Sequence, residues 1–304
     1  MNKVANISVD VDGLDLYYKI HGLTPNPDAP SIYETGVLRF LELFRKTNIK
    51  ATFFVIAKDA LEPKNRAILQ EAVNDGHEIA SHSYSHPYEL IKLEKKEIER
   101  ELAEAEAILS EIRKGESVSG FRAPGYNTSP TLLQLLHERG YQYDSSFFPC
   151  PAYYLAKAGY LTAYKLLGRP SNSILGSPSV LFTSRHPHPL KDYGHLLEYP
   201  MTVTPGLRFP IIGTSLISMG QNGWKFAHAM LKRTPFVQIE FHAIDLTDHS
   251  IDQIDDVLLQ QPDQKVSLET KLPIFEKAIT DLSRYRDMRT LEWLSNHRDW
   301  MSLL

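Results

Sequence analysis

The stretch Val4-Ala5-Asn6-Ile7-Ser8-Val9-Asp10-Val11-Asp12-Gly13 decides how the rest of the chain is read. It starts as a short, largely apolar run and ends on two aspartates, the pattern of a buried strand that delivers carboxylates at its C-terminal end. Alternate residues of a strand point to the same side, so Asp10 and Asp12 can face one cleft. Two further apolar runs follow, Ala51-Thr52-Phe53-Phe54-Val55-Ile56 and His77-Glu78-Ile79-Ala80-Ser81. Apolar residues at helical spacing predict helices over 35–48 and 65–75, the second stopped by Gly76.

The alternation continues downstream. Residues 92–114 form the clearest helix, with Ile98, Leu102, Ala105 and Leu109 inside and charges outside. A strand over 119–122 and a loop at 123–126 come next. A helix over 129–140 is opened by Ser129-Pro130 and closed by Gly140, and a strand over 141–144 ends in Asp144. Strand and helix in turn argue for an α/β fold, a parallel sheet with covering helices. The polar residues fall just after the strands, the edge that carries the site in a (β/α) barrel. The rhythm breaks over 147–235, which is rich in proline and aromatic residues and is expected as an insertion shaping a pocket within a single domain, 1–304. A helix over 152–167 is its one amphipathic candidate, read as packed on the barrel or else as a lid, a partner surface or a peripheral membrane contact. Order returns with Phe236-Val237-Gln238-Ile239-Glu240-Phe241-His242, a helix over 264–283, a short strand at 288–291 and a terminal helix from Glu292.

Composition narrows the function. The 304 residues are 42% hydrophobic and 23% charged with a formal net charge of −4, an ordinary globular balance. No basic block is present, so nucleic acid is not an expected partner. A single cysteine, Cys150, rules out an intramolecular disulfide and fits a reducing compartment. The segment from Met1 to Ile7 has no long apolar region of a secretory signal, and no run of 18 apolar residues suggests a membrane span. The expected location is the cytoplasm.

The chemistry concentrates at His82-Ser83-Tyr84-Ser85-His86, where two histidines four apart can turn both imidazoles toward one point. With one carboxylate they make a three-ligand site that suits zinc or a similar divalent ion and leaves a position open to water. A structural zinc would usually take four protein ligands, and three are found. His77, at the start of its strand, belongs to the opposite end and is not expected to join them.

Taken with Arg122-Ala123-Pro124-Gly125-Tyr126, Asp144-Ser145-Ser146-Phe147 and His242, these motifs resemble the polysaccharide deacetylase superfamily. This is the NodB homology domain, carbohydrate esterase family 4-like, in its alternating Asp-x-Asp branch. The resemblance runs over about 4–145 and resumes over about 236–295. It implies an irregular seven-stranded barrel and metal-dependent hydrolysis of an N-acyl group. The ion it implies is Zn2+ first, with Co2+, Mn2+ or Ni2+ as alternatives, on Asp12, His82 and His86. It implies Asp10 as general base, Arg122 as the residue that orients Asp10, and His242 as the general acid to the leaving amine. Asp144 would support His242, although Asp245, three residues after it, is an equal candidate. Ser81 and Ser83 would orient the ligands, and a backbone N–H of the Gly125–Tyr126 turn would help hold the oxyanion. The implied substrate is an N-acetylated or N-formylated amino sugar, nucleotide- or lipid-linked before an extracellular polymer. Two other readings stand beside it: a linear or cyclic amidase of the same superfamily, and a binding-only barrel that has lost catalysis.

Overall fold

In the computed structural model, which describes residues 3–168, 171 and 173–304, the chain folds around one curled, mostly parallel sheet. Met1, Asn2 and Pro170, which entered the sequence reading, lie outside the described residues. The strands are β1 (Val4–Val11), β2 (Thr52–Val55), β3 (Glu78–Ser81), β4 (Gly120–Phe121), β5 (Tyr143–Asp144), β6 (His188–Pro189), β7 (Leu197–Glu198), β8 (Phe236–His242) and β9 (Asp287–Met288). Their order is β6-β7-β5-β4-β3-β2-β1-β8, with β9 paired to the start of β1. Only β6 runs antiparallel to its neighbour. The parallel row from β7 to β8 is the expected barrel, curled rather than closed by a backbone ladder among the described residues.

The helices are α1 (Leu14–Ile20), α2 (Leu38–Thr47), α3 (Pro63–Asn74), α4 (Lys95–Ile112), α5 (Pro130–Glu138), α6 (Pro151–Leu166), α7 (Gly213–Leu231), α8 (Leu268–Ser283) and α9 (Leu291–Asn296). Local chemistry sets several of their ends. Pro63, Pro130 and Pro151 start helices at the position where a missing N–H costs nothing. Ser129 caps α5 by accepting from Leu132 N. No helix is long and apolar enough to cross a membrane among the described residues.

The two faces of β1 explain the interior. All eight residues are buried. Ala5, Ile7, Val9 and Val11 join Phe40, Leu41, Phe44 and Ile279 in the outer core beneath the helices. Asn6, Ser8 and Asp10 point the other way, into the barrel, where Asn6 Nδ2 donates to Thr52 Oγ1 at 3.2 Å and Ser8 Oγ meets Arg122 and Gln238. The period of two therefore separates a greasy outside from a polar inside. The strand-start end is plugged by α9 and the C-terminus: Trp300 stacks near Tyr199 and Phe236, and Leu291 N donates to Thr52 Oγ1 at 3.0 Å. Gly120 is required here, because a Cβ there would sit 1.9 Å from Tyr143 Cζ.

The segment 147–235 is less of an insertion than its composition suggests. Leu197–Glu198 continues the sheet parallel to β5, and Leu216, Trp224 and Leu231 of α7 are buried in the main core. A two-residue strand has no readable alternation, and α7 bends at Gly220, whose φ of 62° is non-helical. Its helix α6 is peripheral, with Tyr164 as its one buried residue.

Candidate metal centre and active site

Parallel strands carry their polar C-terminal ends to one edge, and Asp12, His82, Arg122, Asp144 and His242 all emerge there. His82 Nε2 lies 3.5 Å and His86 Nε2 3.6 Å from Asp12 Oδ1, and all three side chains are buried. The loop between the histidines turns sharply, with Ser83 and His86 in the left-handed region at φ 65° and 55°. Ser83 Oγ accepts from His86 N at 3.0 Å, and Ser81 Oγ accepts from Ser83 N at 3.3 Å. These serines act on the loop backbone, Ser83 on the N–H of His86 itself, rather than on the imidazole rings. Glu101 of α4 anchors the loop by accepting from Ser85 N and Oγ at 2.8 and 2.6 Å.

The donor set suits a divalent ion. Nδ1 of His82 lies 2.7 Å from the Arg122 carbonyl, which can only accept, so Nδ1 carries the proton and Nε2 offers its lone pair toward Asp12. Burial and the neighbouring His82 hold His86 well below the usual imidazole range, hence neutral, as a ligand must be. Asp12 Oδ1 is buried with no hydrogen-bond partner. An orphaned carboxylate oxygen facing two imidazoles fits a cation of the zinc class.

Beside this cluster Asp10 is locked to Arg122. Arg122 Nη1 donates to Asp10 Oδ1 at 2.5 Å, Nη2 to Ser145 Oγ at 2.9 Å and Nε to Ser145 O at 2.8 Å. Its guanidinium also lies 4.0 Å over the Phe54 ring. With one oxygen thus held, Asp10 Oδ2 remains buried and unpartnered, facing His82 Nε2 at 4.0 Å.

His242 ends β8, and the residue that supports its ring is Glu240. Glu240 Oε1 lies 3.0 Å from His242 Nδ1, and Tyr126 OH lies 3.2 Å from Nε2 and 3.1 Å from the same Glu240 oxygen. Burial favours a neutral ring, but Glu240, Asp12, Asp10 and Asp245 outweigh it and raise His242 to about 9. A bound cation at Asp12 would cancel part of that field. Neither expected carboxylate reaches the imidazole. Asp245 Oδ2 accepts from the backbone N of His242 at 2.9 Å. Asp144 sits opposite Glu198 across the sheet, where burial raises Asp144 to about 6 and Glu198 well above its usual range. Asp144 Oδ1 accepts from Ser146 Oγ at 2.6 Å, and Ser146 Oγ accepts from Ala123 N at 2.8 Å. Asp144 thus braces the loop that carries Arg122. The sequence reading passed over Glu240 although it stands two residues before His242 on one strand, on the same face.

Tyr126 N–H donates to Ala123 O at 2.9 Å, so that amide of the turn is already engaged and is not offered to an oxyanion. His77 accepts from Ala51 N at 3.0 Å through Nδ1 and packs on Phe44 and Phe53, away from the cluster.

The cluster opens into a cleft of about 440 Å³ walled by Tyr17, Tyr88, Tyr153 and Tyr160 with Gln260 and Gln261. A second cleft, of about 330 Å³, shares Gly125, Tyr126, Tyr153 and Lys157 with the first.

A curled parallel sheet here carries, at its C-terminal edge, a carboxylate and two imidazoles that could hold a metal ion. The model of the polysaccharide deacetylase family matches residues 28–143, which hold His82, His86 and Arg122. The peptidoglycan deacetylase of Helicobacter pylori is 29% identical over 142 residues, 45% of this chain and 47% of that protein. The peptidoglycan-N-acetylglucosamine deacetylase of Bacillus cereus is 34% identical over 85 residues, 28% of this chain and 29% of its own length. The chain thus spans less than half the length of either relative. The crystal structure of a putative polysaccharide deacetylase from Mycobacterium smegmatis shares the fold, with a TM-score of 0.61 at 17% identity over 100% of this chain and 93% of its own. Over residues 28–143 the chain is similar to the polysaccharide deacetylase family, and its fold is that of the solved deacetylase-like barrel.

Proposed function

We propose that this chain hydrolyses the N-acyl bond of an amino sugar, with a divalent ion, Zn2+ first among candidates, held by Asp12, His82 and His86. The observation that carries the reading is the buried, unpartnered Asp12 Oδ1 facing two imidazole Nε2 atoms. A divalent ion there would supply Lewis acidity to an amide carbonyl and make water a better nucleophile near neutral pH. Asp10, fixed through one oxygen by Arg122, keeps Oδ2 free to take a proton from the attacking water. His242, kept protonated by Glu240 and its neighbours, gives a proton to the departing nitrogen. The products are a free amine and a short carboxylate.

The relatives' names, peptidoglycan deacetylase and peptidoglycan-N-acetylglucosamine deacetylase, favour a sugar substrate. So does a cleft rimmed by tyrosines and glutamines, which offers ring faces and neutral hydrogen bonds to a pyranose. The test is the metal content of the purified chain beside His82→Ala and Asp12→Ala, with acetate or formate release from N-acyl glucosamine oligomers. About one equivalent of metal in the wild type, absent from both variants, together with release supports the reading. A wild type that takes up no zinc, cobalt or manganese overturns it in favour of a binding-only barrel.

A further inference from the structure

Gly125 is left-handed at φ 61°, and the position its side chain would take is crowded: a Cβ there would lie 3.2 Å from Tyr88 Cδ1, 3.3 Å from Asn127 Nδ2 and 3.6 Å from Lys157 Nζ. The two donors thus stand close together, and both residues line the second cleft. Asn127 is 4% exposed, and its Nδ2 has no hydrogen-bond partner. Lys157 Nζ donates to Gly125 O at 3.1 Å and stands 5.8 Å over the Tyr153 ring, but no carboxylate pairs with it among the described residues. Among the described residues it is the one lysine or arginine lining either cleft.

The surroundings give these donors a purpose. Among the described residues the second cleft has no acidic side chain in its lining. Its polar groups are hydroxyls and amides, its apolar ones include Phe148 and Tyr153, and among the described residues its only charge is the Lys157 ammonium. A sheltered ammonium without a counter-ion and a buried amide without a partner both cost free energy in the empty protein. An anionic ligand removes both costs at once, because charge-assisted hydrogen bonds are the strong ones. Burial alone pushes Lys157 down to about 8, which agrees with an ammonium that lacks a protein carboxylate.

We propose that the second cleft, where it passes Gly125, is an anion site, in which Lys157 Nζ and Asn127 Nδ2 hold a phosphate or carboxylate borne by the substrate. This rests on the reading of the neighbouring cleft as an N-acyl sugar site, and it narrows that substrate to an acidic amino sugar. The shared wall of Gly125, Tyr126, Tyr153 and Lys157 sets the anion beside the ring whose N-acyl group faces Asp10 and His242. The aromatic cleft beyond would take whatever the acidic group links to the sugar.

Calorimetric titration of the full chain with N-acetylglucosamine, N-acetylglucosamine 1-phosphate and N-acetylmuramic acid tests this without any turnover. At least one acidic sugar should bind about tenfold tighter than the neutral one, the worth of one charge-assisted contact. Lys157→Met and Asn127→Ala should each erase most of that preference, and Lys157→Arg should keep it. Preference for the 1-phosphate assigns a phosphate, and preference for N-acetylmuramic acid a carboxylate. The two variants lie on separate elements, so loss of folding in one leaves the other to decide. Equal affinity for all three sugars, binding of none, or a preference that survives in both variants overturns the proposal. Acetate release from a neutral N-acetylglucosamine oligomer alongside such a result leaves the hydrolase reading intact. Lys157-dependent binding without release from any sugar removes that reading and leaves the anion site.

Discussion

Glu240 and His242 stand two residues apart on β8, and Glu240 Oε1 lies 3.0 Å from His242 Nδ1. A strand turns alternate residues to one face, so this pairing is built into the backbone. Glu240→Gln should therefore draw the His242 titration down from about 9 and lower hydrolysis about a hundredfold, the usual worth of a positioned acid. Asp144→Asn should leave that titration in place, because Asp144 contacts Ser146 rather than the imidazole. Imidazole NMR shifts followed against pH separate the two variants.

Arg122 and Asp10 form a buried pair, each side chain 1% exposed or less. Arg122→Met leaves a carboxylate without its counter-charge and should cost about 3–5 kcal/mol, while adding Asp10→Asn should recover part of the loss. Urea denaturation of the two single variants and the double variant measures the coupling.

Removing metal should destabilise the chain. A ligand present at about a hundred times its dissociation constant adds about 2.7 kcal/mol to the folded state. Chelation should lower the melting temperature of the wild type and leave that of His86→Ala unchanged. An equal drop in both would place the bound ion away from His86.

His77 predicts a pH effect remote from the site. Burial lowers its imidazole to about 4, and Nδ1 accepts from Ala51 N. Between pH 6.5 and 4 the unfolded chain binds a proton here that the folded chain refuses. Stability therefore falls as pH drops through that window, by up to roughly 3 kcal/mol. His77→Asn keeps an acceptor for Ala51 without the titration, and its stability curve should be flatter over the same range.

Much of the fold was legible because its signals are local. The stretch opening at Val4 forms a strand, Val4–Val11, as its apolar run and closing aspartates required. The helix read over 92–114 forms as Lys95–Ile112, with Ile98, Leu102, Ala105 and Leu109 buried as the spacing required. The segment 147–235 was harder, since β7 is too short to alternate and earns its place in the sheet only by pairing with β5.

By itself the sequence determined the order of β1 to β5 with helices α2 to α5 between them, the common face of Asp10 and Asp12, and the return of His86 toward His82. Each follows from a periodicity or spacing written along a few residues. Tertiary structure alone decided which carboxylate serves which partner. Asp144, Asp245 and Glu240 were all chemically fit to hold His242; alternation along β8 put Glu240 on its face, but nothing local said where Asp144 and Asp245 would be engaged. The curl of the sheet turned Asp144 toward Glu198 and Ser146, spent Asp245 on the His242 backbone, and left Glu240 at the ring. The same curl brought α6 over the Gly125 loop, so that Lys157 and Asn127 met above a glycine whose neighbours no spacing could foretell.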